Sequence, residues 1–133
     1  PETQVVLPLL ESDLLTVMQA TTNGSLAGTE VKFSGKSACC VILASQGYPQ
    51  KYQTGYELSI EPEALPHAYV AGAKLEGDRL LTGGGRVVGV TAVEDSLSQA
   101  VSRAYELAGM VHFENAGFRR DIGAKALKAF QEV

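Results

Sequence analysis

A chain of 133 residues is one domain's worth of sequence, long enough to bury roughly two-thirds of the surface its unfolded form exposes. With 45% hydrophobic and 20% charged residues, it needs neither disulfides nor a structural metal to hold a core. The formal net charge is −4, and basic residues are scattered singly apart from Arg119-Arg120. That argues against a nucleic-acid partner, and no apolar run approaches the roughly eighteen residues of a membrane span.

The opening Pro1-Glu2-Thr3-Gln4 has neither the basic head of a signal peptide nor an initiating Met, so a piece of a longer polypeptide is expected. The next residues read as helical. Val5, Val6, Leu9 and Leu10 recur at helical spacing, with Pro8 confined to a first turn or a break. Ser12-Asp13 offers a cap for a second helix through Leu14, Leu15, Val17 and Met18, and Asn23-Gly24 stops it.

After Lys36 the composition shifts to strand formers. Residues 38–44 predict a buried strand, Gly47-Tyr48-Pro49 a turn, and Gly55 the end of the loop that follows. Cys39 and Cys40 are neighbours on that strand and point to opposite faces, so they read as buried free thiols in a reducing cytoplasm. Two further strands are predicted over 69–75 and 86–93. Between them come a hairpin turn at Glu76-Gly77-Asp78, a short strand Arg79-Leu80-Leu81 and the run Gly83-Gly84-Gly85. Short strands and tight turns favour an antiparallel sheet. A helix over 96–111 follows, with Leu97, Ala100, Val101, Ala104, Leu107, Ala108 and Val111 as its apolar stripe. A last helix over 124–130 comes after Asp121-Ile122-Gly123.

No self-contained catalytic set emerges. His67 and His112 lack companions at metal-ligand spacing, Ser37, Ser45 and Ser96 lack a nucleophile-elbow frame, and the carboxylates are dispersed. The glycine run is the most informative feature. Followed by Arg86 and an apolar strand, it reads either as a hairpin turn or as a cradle where backbone and guanidinium approach a phosphate. Lys74, on the strand before it, is placed to share such a ligand. Tyr48 and Tyr52 either present rings to a ligand or close a turn over the sheet. Arg119-Arg120-Asp121 reads as a salt-bridged strand end in preference to a substrate clamp.

Taken in order, these segments resemble one family. Pro1-Glu2-Thr3-Gln4, Leu7-Pro8-Leu9-Leu10 and Ser12-Asp13-Leu14-Leu15 are similar to the end of the ATP-grasp domain of the phosphoribosylamine–glycine ligase (glycinamide ribonucleotide synthetase) family. Residues 41–49, Ala71-Gly72-Ala73-Lys74-Leu75, Gly84-Gly85-Arg86-Val87, Val90-Thr91-Ala92 and Asp121-Ile122-Gly123 continue the resemblance to about Ala126. The chain departs from the family where Val70, Ala73 and Gly83 stand in place of His, Thr and Asn, which removes three polar side chains from the ligand edge.

The resemblance implies an α+β fold, with a small antiparallel sheet packed with helices and preceded by helices that finish an ATP-grasp domain. The implied division is 1–34 for the end of the ATP-grasp domain and 35–133 for the C-terminal domain. It also implies an ATP- and Mg²⁺-dependent purine-biosynthetic enzyme of the cytoplasm. Its substrates are glycine and 5-phosphoribosylamine, joined through a glycyl phosphate. In the family the metal ligands and nucleotide-gripping residues lie upstream, so this chain alone is expected to be inactive, to hold no cofactor, and to need the missing N-terminal and ATP-grasp domains as partners. Lys74, Gly84, Gly85 and Arg86 become the substrate-binding candidates on the phosphoribosylamine side, and Glu2 a support for the metal shell from behind. Two alternatives stay open. One is a stand-alone small-molecule-binding or regulatory module without catalysis, which predicts a smooth polar surface. The other is the corresponding part of a different ATP-grasp carboxylate–amine ligase.

Overall fold

The computed structural model describes residues 2–131. It opens with a short helix α1 (Thr3–Val6), which passes into a 3-10 turn (Leu7–Leu9) with Pro8 in its first turn, where a missing N–H costs nothing. Helix α2 (Leu14–Asn23) begins where Asp13 accepts from the Thr16 backbone N–H and hydroxyl, both at 2.7 Å. It ends at Gly24, whose φ of 78° lets its N–H turn back to the Ala20 carbonyl. The chain then returns alongside its own start, with Ser34 N–H donating to the Leu9 carbonyl at 2.8 Å and Glu11 N–H to that of Lys32 at 2.9 Å.

The body is a four-stranded antiparallel sheet in the order β3-β6-β1-β8, formed by β1 (Ser37–Ser45), β3 (Ala68–Val70), β6 (Arg86–Glu94) and β8 (Ala116–Gly117). Two small ribbons flank it, β4 (Ala73–Glu76) with β5 (Arg79–Thr82), and β2 (Ser59–Ile60) with β7 (Val111–His112). Strands β1 and β6 pair over their full length, so Cys39, Val41 and Leu43 share one face with Ala92, Val90 and Val88. Helix α3 (Leu97–Ala108), capped by the Ser96 hydroxyl, lays Ala100, Val101, Ala104, Leu107 and Ala108 against that face. Helix α4 (Ala124–Gln131) closes the described chain, with Leu127 packed against the same core. The small antiparallel sheet with helices expected from the sequence is therefore present. None of the described helices is long and apolar enough to cross a membrane.

Two boundaries differ from expectation. The single strand over 69–75 is two strands in different sheets, broken at Ala71-Gly72, because both of those N–H groups turn to the Val87 carbonyl (2.9 and 3.1 Å). The helix expected to run to 111 ends at Ala108. Gly109 caps it, with its N–H reaching the Tyr105 and Glu106 carbonyls, and Val111 begins β7. The glycine run is also no hairpin turn, since β5 and β6, which it joins, lie in different sheets.

Candidate functional site

The sheet has a second face, turned away from α3. On β1 it carries Cys40, Ile42 and Ala44, opposite Thr91, Gly89 and Arg86 of β6. Arg86 reaches this face through a bulge. Leu43 pairs with Val88 but Ala44 pairs with Arg86, so Val87 is an extra residue in β6. Val87 and Val88 both enter the core, and the strand alternation resumes one residue out of step. Without that insertion Arg86 would point at the core. A bulge that re-aims a side chain at the sheet rim is a recurrent device beside ligand sites.

Two open hollows of about 620 and 630 Å³ meet at this place, and Ile42, Tyr48 and Arg86 line both. The first runs between the 46–49 turn and Phe118-Arg119, and the second between Ala71-Gly72, Gly85 and the N-terminal Glu2-Thr3-Gln4. Gly85 is required by close approach, since a Cβ there would fall inside the Tyr48 ring. Tyr48 in turn lies 6.0 Å from Tyr52, ring centre to ring centre. Gly72 and Gly84 touch backbone to backbone. A Cβ on Gly84 would lie 3.2 Å from the Gly72 Cα, and one on Gly72 would overlap the Arg86 carbonyl.

Arg86 is exposed. Among the described arginines its head stands apart. Arg79 pairs with Glu57, Arg103 with Glu63 and Glu106, Arg119 with Asp121, and Arg120 lies 5.3 Å over the Phe118 ring. No carboxylate among the described residues lies within ion-pair reach of Arg86. The Glu2 carboxyl is held below the ordinary carboxylate value, chiefly by a hydrogen bond from its own backbone, and the charge of Arg86 is the smallest of the contributions.

The sequence-derived candidates are only partly brought together. Gly85 and Arg86 line the second hollow, whereas Gly84 is used in the crossing with Gly72. Lys74 sits on β4 opposite Leu81, ion-paired with Glu76, and lines neither hollow. The glycine run also spends its polar groups internally. Gly83 N–H donates to the Gly72 carbonyl at 2.7 Å, while the Gly84 and Gly85 carbonyls accept from the Ser45 hydroxyl (3.0 Å) and N–H (2.8 Å).

Other expectations resolve plainly. Arg119 forms a two-pronged ion pair with Asp121, Nε to Oδ1 at 2.9 Å and Nη2 to Oδ2 at 2.7 Å. His67 Nδ1 lies 3.2 Å from the Thr91 carbonyl, and His112 Nε2 lies 2.9 Å from Glu61. Cys39 and Cys40 are free and buried, and burial raises both thiols above their ordinary value. Among the described residues no three His, Cys, Asp or Glu side chains converge as a metal site. Sequence reasoning passed over Gln4, whose partner Cys40 lies 36 positions away, a separation that no local motif can signal.

A small antiparallel sheet with one helix-covered face is shared with a known class of ligase domain. The family profile described as phosphoribosylglycinamide synthetase, C domain, matches residues 38–125, and the chain belongs to that family. It is 44% identical over 131 residues to the phosphoribosylamine–glycine ligase of Chlorobaculum tepidum, covering 96% of this chain and 31% of that one. It is 38% identical over 136 residues to the human trifunctional purine biosynthetic protein adenosine-3, covering 99% of this chain and 14% of that one. The crystal structure of the Thermotoga maritima phosphoribosylamine–glycine ligase superposes with a TM-score of 0.73 at 32% identity, over 91% of this chain and 30% of the other. The chain thus spans about a third or less of the length of these relatives.

Proposed function

We propose that the polypeptide carrying this chain joins glycine to 5-phosphoribosylamine at the expense of ATP, and that this chain supplies one wall of the phosphoribosylamine side of the cleft. The observation that carries the assignment of the wall is Arg86. It is turned outward by a bulge, exposed between two hollows, and the arginine whose head meets neither a carboxylate nor an aromatic ring among the described residues. A planar guanidinium with that freedom suits bidentate contact to a phosphate oxygen pair. Gly85 lets Tyr48 pack beside it and narrow the cleft. Lys74 reaches such a ligand only by leaving Glu76, which is an inexpensive exchange for an exposed pair.

In this scheme glycine's carboxylate attacks the γ-phosphate of ATP and ADP leaves, and the ribosylamine nitrogen then attacks the acyl-phosphate carbonyl, releasing phosphate and a proton. The residues present do not fit Mg²⁺, as no acidic cluster converges among them. Metal and nucleotide would be held by other parts of the polypeptide, and this chain's own share is binding and orientation. The division into 1–34, finishing an ATP-grasp domain, and 35–133, the C-terminal domain, is supported by α2. Its Leu14, Leu15 and Met18 are exposed and Ala20 is its buried residue, as expected of a helix that packs against a neighbouring domain. That apolar surface also disfavours a stand-alone module with a smooth polar exterior. A cytoplasmic setting fits the two free thiols.

The test is ADP release by the full-length polypeptide. Turnover that requires both glycine and 5-phosphoribosylamine, with none from this chain alone, is the expected result. Turnover indifferent to either substrate would overturn the assignment.

A further inference from the structure

The outer sheet face contains a notch that the ligand reading does not use. Gly89 lies inside β6, between Ile42 of β1 and Tyr69 of β3, where a β-branched or aromatic residue would strengthen the sheet. A Cβ there would overlap the Gln4 side-chain oxygen and lie 2.9 Å from Ile42 Cδ1 and 3.2 Å from Cys40 Sγ. The same Gln4 oxygen accepts a hydrogen bond from the Cys40 thiol at 3.1 Å. The Gln4 amide is therefore seated in a socket with bare backbone as its floor and a thiol donor at its rim. Burial keeps that thiol protonated, as the donor role requires. Gln4 stands two residues beyond Glu2 and lines the same hollow as Glu2 and Arg86.

We propose that Gln4 is a positioning residue for the cleft. Seated in the Gly89 notch by the Cys40 thiol, it fixes the start of α1 as the wall of the hollow that Arg86 also lines. This rests on the reading of Arg86 as a phosphoribosylamine contact. It differs from simple packing of α1 in one respect: its consequences fall on the one substrate that the hollow shared with Arg86 would take.

The experiment uses the full-length polypeptide, with kcat and KM measured for each substrate in Gln4→Ala, Arg86→Ala and the double variant. Gln4→Ala is expected to raise the KM for 5-phosphoribosylamine by about five- to tenfold while the KM values for glycine and ATP hold. The double variant is expected to be no worse than Arg86→Ala alone, within about twofold. Independent, multiplying losses, or losses spread over all three substrates with a lowered melting temperature, would reduce Gln4 to a packing residue and overturn the proposal. If Gln4→Ala does not fold, Cys40→Ala and Cys40→Ser replace it. Recovery in the serine variant, which keeps a donor, supports the socket, and identical kinetics in the two variants overturn it.

A second reading is independent of catalysis. Alkylation of Cys40, followed by mass spectrometry, should run about tenfold faster in Gln4→Ala than in the parent, because the amide that covers the thiol is gone. Equal rates would mean that there is no socket. An inactive parent with accelerated alkylation would overturn the ligase reading and leave the socket standing.

Discussion

Helix α3 buries five side chains against the sheet, and α2, of similar length, buries one. Both carry a cap from a side-chain oxygen, Asp13 on α2 at 2.7 Å and Ser96 on α3 at 3.3 Å, so local chemistry does not favour α3. The difference lies in what covers them. The stripe of α3 meets Val41, Leu43, Val88 and Val90, whereas Leu15 of α2 is 62% exposed and Met18 58%. Capping starts a helix, but its stability comes from an apolar partner. For α3 that partner is within this chain.

The largest expected effect follows from this contrast. Leu107 is fully buried, so Leu107→Ala should lower unfolding stability by about 2–5 kcal/mol in chemical denaturation of this chain. Leu15→Ala should stay within about 0.5 kcal/mol in the same measurement. Comparable losses would mean that the two helices share one cooperative core. Next in size is Gly85→Ala, whose methyl would enter the Tyr48 ring, with an expected loss of about 1–3 kcal/mol and a change in Tyr48 fluorescence or ring chemical shifts.

Much of this contrast can be traced in the sequence. Asp13 and Gly24 bound α2 as written, and the apolar run of β1 and the long β6 emerge where β-branched residues cluster. What could not be read was set by distant backbone. The break at Ala71-Gly72 comes where both N–H groups turn to the Val87 carbonyl, and the outward turn of Arg86 depends on the pairing of Ala44 in another strand. Val111 continued the helical stripe in the sequence, yet the helix ends at Gly109, which keeps right-handed dihedrals where Gly24 turns left-handed, and the pairing of Val111 with Ile60 takes the chain into β7. For the candidate site, Gly85 and Arg86 come to the cleft while Lys74 is engaged with Glu76, a division that spacing alone does not reveal.

The smallest expected effect concerns pH. Two hydrogen bonds from Thr16, hydroxyl first and then backbone N–H, hold the Asp13 carboxyl below its ordinary value. A carboxyl depressed in the folded state stabilises above its unfolded pKa, and that contribution fades as pH falls through the folded value. The difference in helical circular dichroism between the parent chain and Asp13→Ala should therefore be steady near neutrality and shrink below about pH 4. A difference that grows on acidification would contradict the cap.

The most direct measurement of the central claim is kcat/KM for 5-phosphoribosylamine in the full-length Arg86→Ala variant, with its melting temperature recorded beside it. An exposed guanidinium that grips a phosphate should cost about ten- to hundredfold in kcat/KM on removal, with the KM values for glycine and ATP and the melting temperature unchanged. An unaltered response to 5-phosphoribosylamine would show that the cleft beside Tyr48 and Gly85 serves some other purpose.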